Sequence, residues 1–155
     1  MPGYIAAQIL GAIVGVWAAH LMFGETVIQL SGHMRAGGAQ IFSEFVATFG
    51  LLSVIWGCGR LRREAVPVAV GLYIVGAYWF TASTSFANPA VTLARSFTNT
   101  FAGIRPVDAP GFVEAQFAGA FAATFLFRWL VPSLPEQAPA VLMVHEQERR
   151  FLHGK

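Results

Sequence analysis

The residues best placed to do chemistry lie in one run, Ser83 to Phe101, reading STSFANPAVTLARSFTNTF. Asn88 has a good N-cap side chain and Pro89 suits the first helical position. Ala90 to Phe97 then reads as a helix too short to cross a bilayer. Two readings of this run stand: an ordinary surface helix after a turn, or a re-entrant loop. A re-entrant loop exposes backbone groups at membrane depth, which is tolerated only where protein or a water-filled cavity satisfies them. It therefore implies a pore or a binding site. Glu44 is the second residue of note, an acid within an apolar stretch, where acids are usually functional or paired. A proton relay would use it, although Ala65 to Thr81 holds no second acid. There is no phosphate-binding glycine loop, nucleophile triad or pair of catalytic carboxylates. His33, His145 and His153 have no partner at metal-ligand spacing, and Cys58 is the sole cysteine. No catalytic residue, metal or cofactor is expected, and the chain does not read as an enzyme.

The elements that must position these residues are apolar. Of 155 residues, 55% are hydrophobic and 12% charged, against about 25% charged in soluble domains. Four segments follow: Tyr4 to Phe23, Ile41 to Cys58, Ala65 to Thr81 and Phe112 to Val131. Each spans, or nearly spans, a hydrocarbon core of about 30 Å. They are apolar nearly all round, unlike soluble amphipathic helices, so a soluble four-helix bundle is the weaker reading. Arg60, Arg62 and Arg63 cluster between segments two and three, and Arg149, Arg150 and Lys155 lie in the tail. Positive-inside reasoning puts that loop and both termini in the cytoplasm. The tail, residues 132–155, reads as polar, with one short helix near residues 141–151. The net charge of +2 forms no long basic patch, so no nucleic-acid partner is expected. Trp17, Trp56, Trp79 and Trp129 fall near segment ends, as in an aromatic belt. His20, Arg128 and Glu114 are expected at interfaces and Arg95 at the extracellular surface.

Residues 2–12 (PGYIAAQILGA) and 110–120 (PGFVEAQFAGA) share six of eleven positions. Three helix steps separate segments one and four, so the two copies run in opposite directions. Inverted repeats of this kind build many channels and transporters. If segment four closes a unit that starts near Ile41, segment one closes an earlier unit whose opening is missing. The chain then reads as N-terminally truncated; the other reading is a complete four-helix protein with a coincidental match. Gly11 and Gly15 are four apart, as are Ala115, Gly119 and Ala123, a spacing that lets membrane helices approach closely. Gln8 and Gln116 are expected to bind backbone carbonyls across helices.

Asn88-Pro89-Ala90 followed by a short helix resembles the loop motif of the aquaporin, or major intrinsic protein, family. Gln8 with Gly11 and Gly15 resembles that family's third helix, and Glu44 the glutamate of its fourth. The resemblance covers about residues 2–131. It implies an all-α membrane protein, an aquaporin-like inverted-repeat bundle. The four spans would be family helices three to six, with a re-entrant half-helix at about 83–101. Residues 1–131 would form a partial channel domain. Glu44 would then be an acceptor for backbone donors of the Asn88 loop. The Asn88 amide would offer donors to a passing oxygen, and the half-helix N-terminus about half a positive charge, a field that disfavours cations.

The family's outer constriction maps, by spacing from Asn88, onto Gly76, Ser85 and Val91, with a fourth position in the missing part. Water-selective members carry histidine and arginine where this chain has Gly76 and Val91. The hole is therefore wider and lacks a fixed charge. The implied function is passive conduction of glycerol-like solutes and neutral metalloid hydroxides such as arsenite, with water as a further solute. Membrane lipid, the neutral solute and a homotetramer are the partners implied, with a multi-pass inner or plasma membrane location. Two alternatives stand beside it: a non-conducting fragment lacking the first pore half, and a proton-coupled transporter using Glu44.

Overall fold

A computed structural model describes residues 2–131; the tail, with the short helix expected there, lies outside the described residues. The elements are α1 (Pro2–Phe23), α2 (Gly38–Leu61), a 3-10 turn (Arg63–Ala65), α3 (Val66–Phe80), α4 (Pro89–Arg95) and α5 (Ala109–Leu130). All are helical, and no strand occurs among the described residues.

Local chemistry sets the ends. Prolines occupy the first turn of α3, α4 and α5, where a missing N–H costs nothing. α1 stops at Gly24, whose φ of 70° is the left-handed residue that commonly closes a helix. The Glu25 N–H then donates to the His20 carbonyl at 2.8 Å.

At 1.5 Å per residue, α1, α2 and α5 run about 33, 36 and 33 Å, α3 about 22 Å and α4 about 10 Å. Among the described residues, α1 and α2 are the helices long and apolar enough to cross a membrane by length and composition. Four spans are expected from the sequence; α3 is the shortfall in length, because its helix starts only after the 3-10 turn.

The most extensive contact joins α2 to α5, followed by α2 to α3 and α1 to α4. Small residues make the first contact possible. Ala47, Ala115 and Ala123 are buried. A Cβ added to Gly119 would lie 2.5 Å from the Phe45 carbonyl oxygen and 3.0 Å from the Phe49 nitrogen. Trp56 lies in a small core with Val131, Leu52 and Phe127. That corrects the belt placement expected for it, because the α2–α5 contact covers its position. Trp79 and Trp129 are exposed. Around the α2–α5 contact the interior is polar: Ser43, Glu44, Thr48, Ser83, Thr92 and Gln116 are all buried. These residues belong to the site.

Candidate functional site

The segment from Thr81 to Asn88 holds no helix or strand, and Thr84, Ser85 and Ala87 have φ of 61°, 48° and 47°. Non-glycine residues in this left-handed region each cost about 1–2 kcal/mol, so something must hold them. Glu44 does so from α2. Its Oε1 accepts from the Ser83 hydroxyl and the Phe86 N–H, both at 2.7 Å. Its Oε2 accepts from the Ala87 N–H at 2.9 Å and Gln116 Nε2 at 2.8 Å. Four donors around a fully buried carboxylate satisfy it without a cation, and hydrogen bonds to an ionised acceptor are the strong kind.

Gln116 carries the network from α5 into α4. Its Nε2 also donates to Thr92 Oγ1 at 2.8 Å, and the Thr92 hydroxyl donates to the Asn88 carbonyl at 3.0 Å. The amide orientation is fixed because both acceptors require the NH2 end. This corrects the partners expected for the two glutamines. Gln116 binds a carboxylate and a hydroxyl rather than backbone carbonyls, and Gln8 donates to Tyr4 on its own helix at 2.9 Å.

Asn88 caps α4. Its Oδ1 accepts from the Ala90 N–H at 2.8 Å and the Val91 N–H at 3.5 Å. With the oxygen committed, the Nδ2 donors are free of any partner among the described residues. Asn88, Pro89 and Ala90 line a cavity of about 270 Å³ with Tyr4, Gln8 and Phe117. The arrangement can offer amide donors and the positive end of α4 to a neutral oxygen-bearing molecule.

Of the other constriction residues, Ser85 is buried and its hydroxyl has no partner among the described residues. Val91 is half-buried against Phe86, Ile104 and Phe112. Gly76 is on the exposed side of α3, where an added Cβ would meet only the Phe80 ring, at 4.0 Å. The structure therefore does not bring Gly76 into contact with the other two. Gly11 and Gly15 face open space, because α1 buries only His20. The packing expected of them is not seen among the described residues.

Sequence reasoning missed three residues at the other end of α4. Arg35 is 4% exposed and ties the loop after α1 to the site. Its guanidinium donates to the carbonyls of Gly103 (2.7 Å), Ser83 (3.0 Å) and Phe101 (2.7 Å), and stacks 5.0 Å from the Phe86 ring centre. His20, expected at an interface, is buried instead. Its Nδ1 lies 2.9 Å from the Val27 carbonyl, which can only accept, so the proton is assigned to Nδ1. Nε2 then accepts from Thr98 Oγ1 at 2.8 Å and, at 3.3 Å, from Gln29 Nε2. Arg95, expected at the surface, stacks on the same Phe86 ring as Arg35: its guanidinium carbon is 4.2 Å from the Phe86 centre and 5.9 Å from that of Tyr78. Chain geometry explains the correction. Residues 98–104 fold back over α4, and the Ile104 N–H donates to the Arg95 carbonyl at 3.2 Å. One signal was available, since 95 − 91 = 4 puts Arg95 on the same helix face as Val91.

Arg95, His20 and Thr98 line a second cavity, of about 410 Å³, with Val16, Glu25 and Phe101. The two cavities lie at opposite ends of α4. No cluster of metal-ligating side chains occurs among the described residues.

Compared with known proteins, the chain is 59% identical over 133 residues to the aquaglyceroporin AqpS of Rhizobium meliloti (strain 1021), covering 85% of this chain and 57% of that relative. It is 26% identical over 130 residues to an aquaglyceroporin of Toxoplasma gondii (strain ATCC 50611 / Me49), covering 80% of this chain and 48% of that relative. It is 36% identical over 80 residues to the aquaporin NIP1-1 of Oryza sativa subsp. japonica, covering 48% of this chain and 28% of that relative. The chain spans about half the length of the first two of these relatives. No family model and no solved structure matches it.

Proposed function

This chain belongs to the aquaporin, or major intrinsic protein, family, and on that footing we propose that it lines a passive channel for small neutral solutes. The observation that carries the reading is the commitment of the Asn88 side chain. Its oxygen caps α4, which leaves two amide donors at the cavity on the positive end of that helix. A neutral solute oxygen can accept from those donors, while the dipole opposes a cation at the same place. Glu44 acts as a loop anchor, with both oxygens taken by four donors, which leaves it no part in a proton relay.

In this proposal α1, α2, α3 and α5 are the four spans and α4 is a re-entrant half-helix at the midplane, with the C-terminus cytoplasmic in the cell membrane. A second half, which would supply the opposing half-helix, meets α1 through Gln8 and Gly11. Gly76, Ser85 and Val91 form three sides of the constriction. Glycine and valine there favour glycerol and neutral metalloid hydroxides such as arsenous acid over a water-only pore. Homotetramers follow from the family resemblance.

Proteoliposome flux tests the proposal. Two preparations are compared: this chain, and this chain placed behind the leading half of AqpS. Glycerol and arsenous acid flux down a gradient, independent of a pH gradient, is the expected result in at least one. Water flux with exclusion of the larger solutes in both would overturn the wide-constriction reading. Absence of all flux in both would overturn the channel.

A further inference from the structure

We infer that Arg95 is a solute-contacting specificity residue in the cavity at the C-terminal end of α4, where it donates to the hydroxyl oxygens of a neutral polyol. The inference rests on the channel reading above. Two arginines on one ring differ in their commitments. Arg35 and Arg95 both stack on Phe86, at 5.0 and 4.2 Å. Arg35 commits all three guanidinium nitrogens to backbone carbonyls at 2.7–3.0 Å. Arg95 makes one side-chain hydrogen bond among the described residues, from Nη1 to Thr84 Oγ1 at 3.5 Å. A guanidinium has five N–H donors in a rigid fork. Most of those on Arg95 are uncommitted, yet the plane is held by Phe86 and Tyr78.

Arg95 lines the 410 Å³ cavity. Val16 and Phe101 supply apolar wall, and Thr98 and His20 supply a polar one. Glu25 also lines the cavity and forms no salt bridge with Arg95. A polyol matches this surface on both counts, with oxygens toward the fork and carbons toward the apolar wall. Water matches only the first. Arg95 lies one turn beyond Val91, so the fixed positive charge absent at residue 91 is present one turn further along the same helix.

The test uses the two liposome preparations already described, with wild type, Arg95→Gln and Arg95→Lys, reading glycerol and water permeability and potassium leak on the same vesicles. The expected result is a glycerol permeability lower by roughly tenfold in Arg95→Gln, the worth of a hydrogen bond from a charged donor, with water permeability unchanged or higher. Potassium leak should rise in Arg95→Gln and stay low in Arg95→Lys, which keeps the charge and loses the fork. A glycerol-to-water ratio equal to wild type in both variants would overturn the inference and leave the channel reading intact. Parallel loss of both permeabilities with loss of helical circular dichroism in Arg95→Gln would mean a structural role there. Arg95→Lys then decides, and an unchanged ratio in it overturns the inference. No flux in wild type in either preparation overturns the channel reading, and this inference with it.

Discussion

Helices α1 and α5 are each 22 residues long. Each carries Pro-Gly-aromatic in its first turn, with a glutamine and then a glycine at matching positions: Gln8 and Gly11 in one, Gln116 and Gly119 in the other. Their surroundings differ sharply. Gln116 is 2% exposed and bonds Glu44 and Thr92, whereas Gln8 is exposed and bonds Tyr4 on its own helix. A Cβ on Gly119 would strike the backbone of α2, and one on Gly11 would strike nothing. The same residues are structural in α5 because α2 brings a glutamate and a close backbone, and α4 brings a hydroxyl. In α1 they have no such partners among the described residues.

The largest expected effect comes from removing the partner itself. Glu44→Ala strands four donors, and at about 1–3 kcal/mol for each unsatisfied buried group the loss should exceed about 3 kcal/mol. Thermal unfolding in detergent would show it as a large fall in midpoint, and glycerol flux should vanish. A midpoint near wild type would mean that the loop holds its left-handed residues without the carboxylate.

Next comes the glycine pair. Gly119→Ala should cost about 1–3 kcal/mol by overpacking, while Gly11→Ala should be neutral or stabilise α1 by about 0.5–1 kcal/mol through helix propensity. Equal effects in unfolding experiments would break the comparison. The glutamine pair is weaker. Gln116→Leu should cost about 1–3 kcal/mol and Gln8→Leu less than about 0.5 kcal/mol. Behind the leading half of AqpS, both α1 variants should become costly under the proposed packing of that half on α1.

The smallest effect lies at the helix entrances. Asp108, just before α5, accepts from Arg105 Nε and Nη2, each at 3.0 Å, and from the Arg35 N–H at 2.9 Å. The Arg105 hydrogen bonds, and secondarily the Arg35 N–H, hold its carboxyl below the usual carboxylate range. A depressed folded value contributes stability above the unfolded value of about 3.9, and that stability is lost as pH falls through the folded value. The midpoint gap between wild type and Asp108→Asn should therefore be widest near neutral pH and close below about pH 4. A gap that widened on acidification would reverse the assignment.

What the sequence revealed was what depends on neighbours along the chain. The Asn88 cap and Pro89 sit within four residues of the groups they serve, so residue type alone announces them. Glu44 was conspicuous as an acid in an apolar run, and the family resemblance implied backbone donors for it, but not the Ser83 hydroxyl or Gln116. Arg35, His20 and Arg95 were misjudged or passed over because their surroundings come from afar. Arg35 meets Ser83 and Gly103, 48 and 68 residues away, and His20 meets Thr98, 78 residues away. No local pattern records such meetings. The two glutamines look alike in sequence, and only the third dimension separates them.

The left-handed run at Thr84, Ser85 and Ala87 also bears on how the chain is made. The Phe86 and Ala87 amides within it find their acceptor in Glu44, some forty residues earlier in the chain, and that acceptor's fourth donor, Gln116, is synthesised last of all, 72 residues after Glu44. Until α5 emerges, Glu44 lacks that donor and the bend has lost one of its supports. α4, at seven residues, is too short to hold a bilayer-spanning position by itself. The loop is therefore the closing stitch of biogenesis. A nascent chain arrested before Gln116 should keep the loop open to protease, and one released past α5 should protect it.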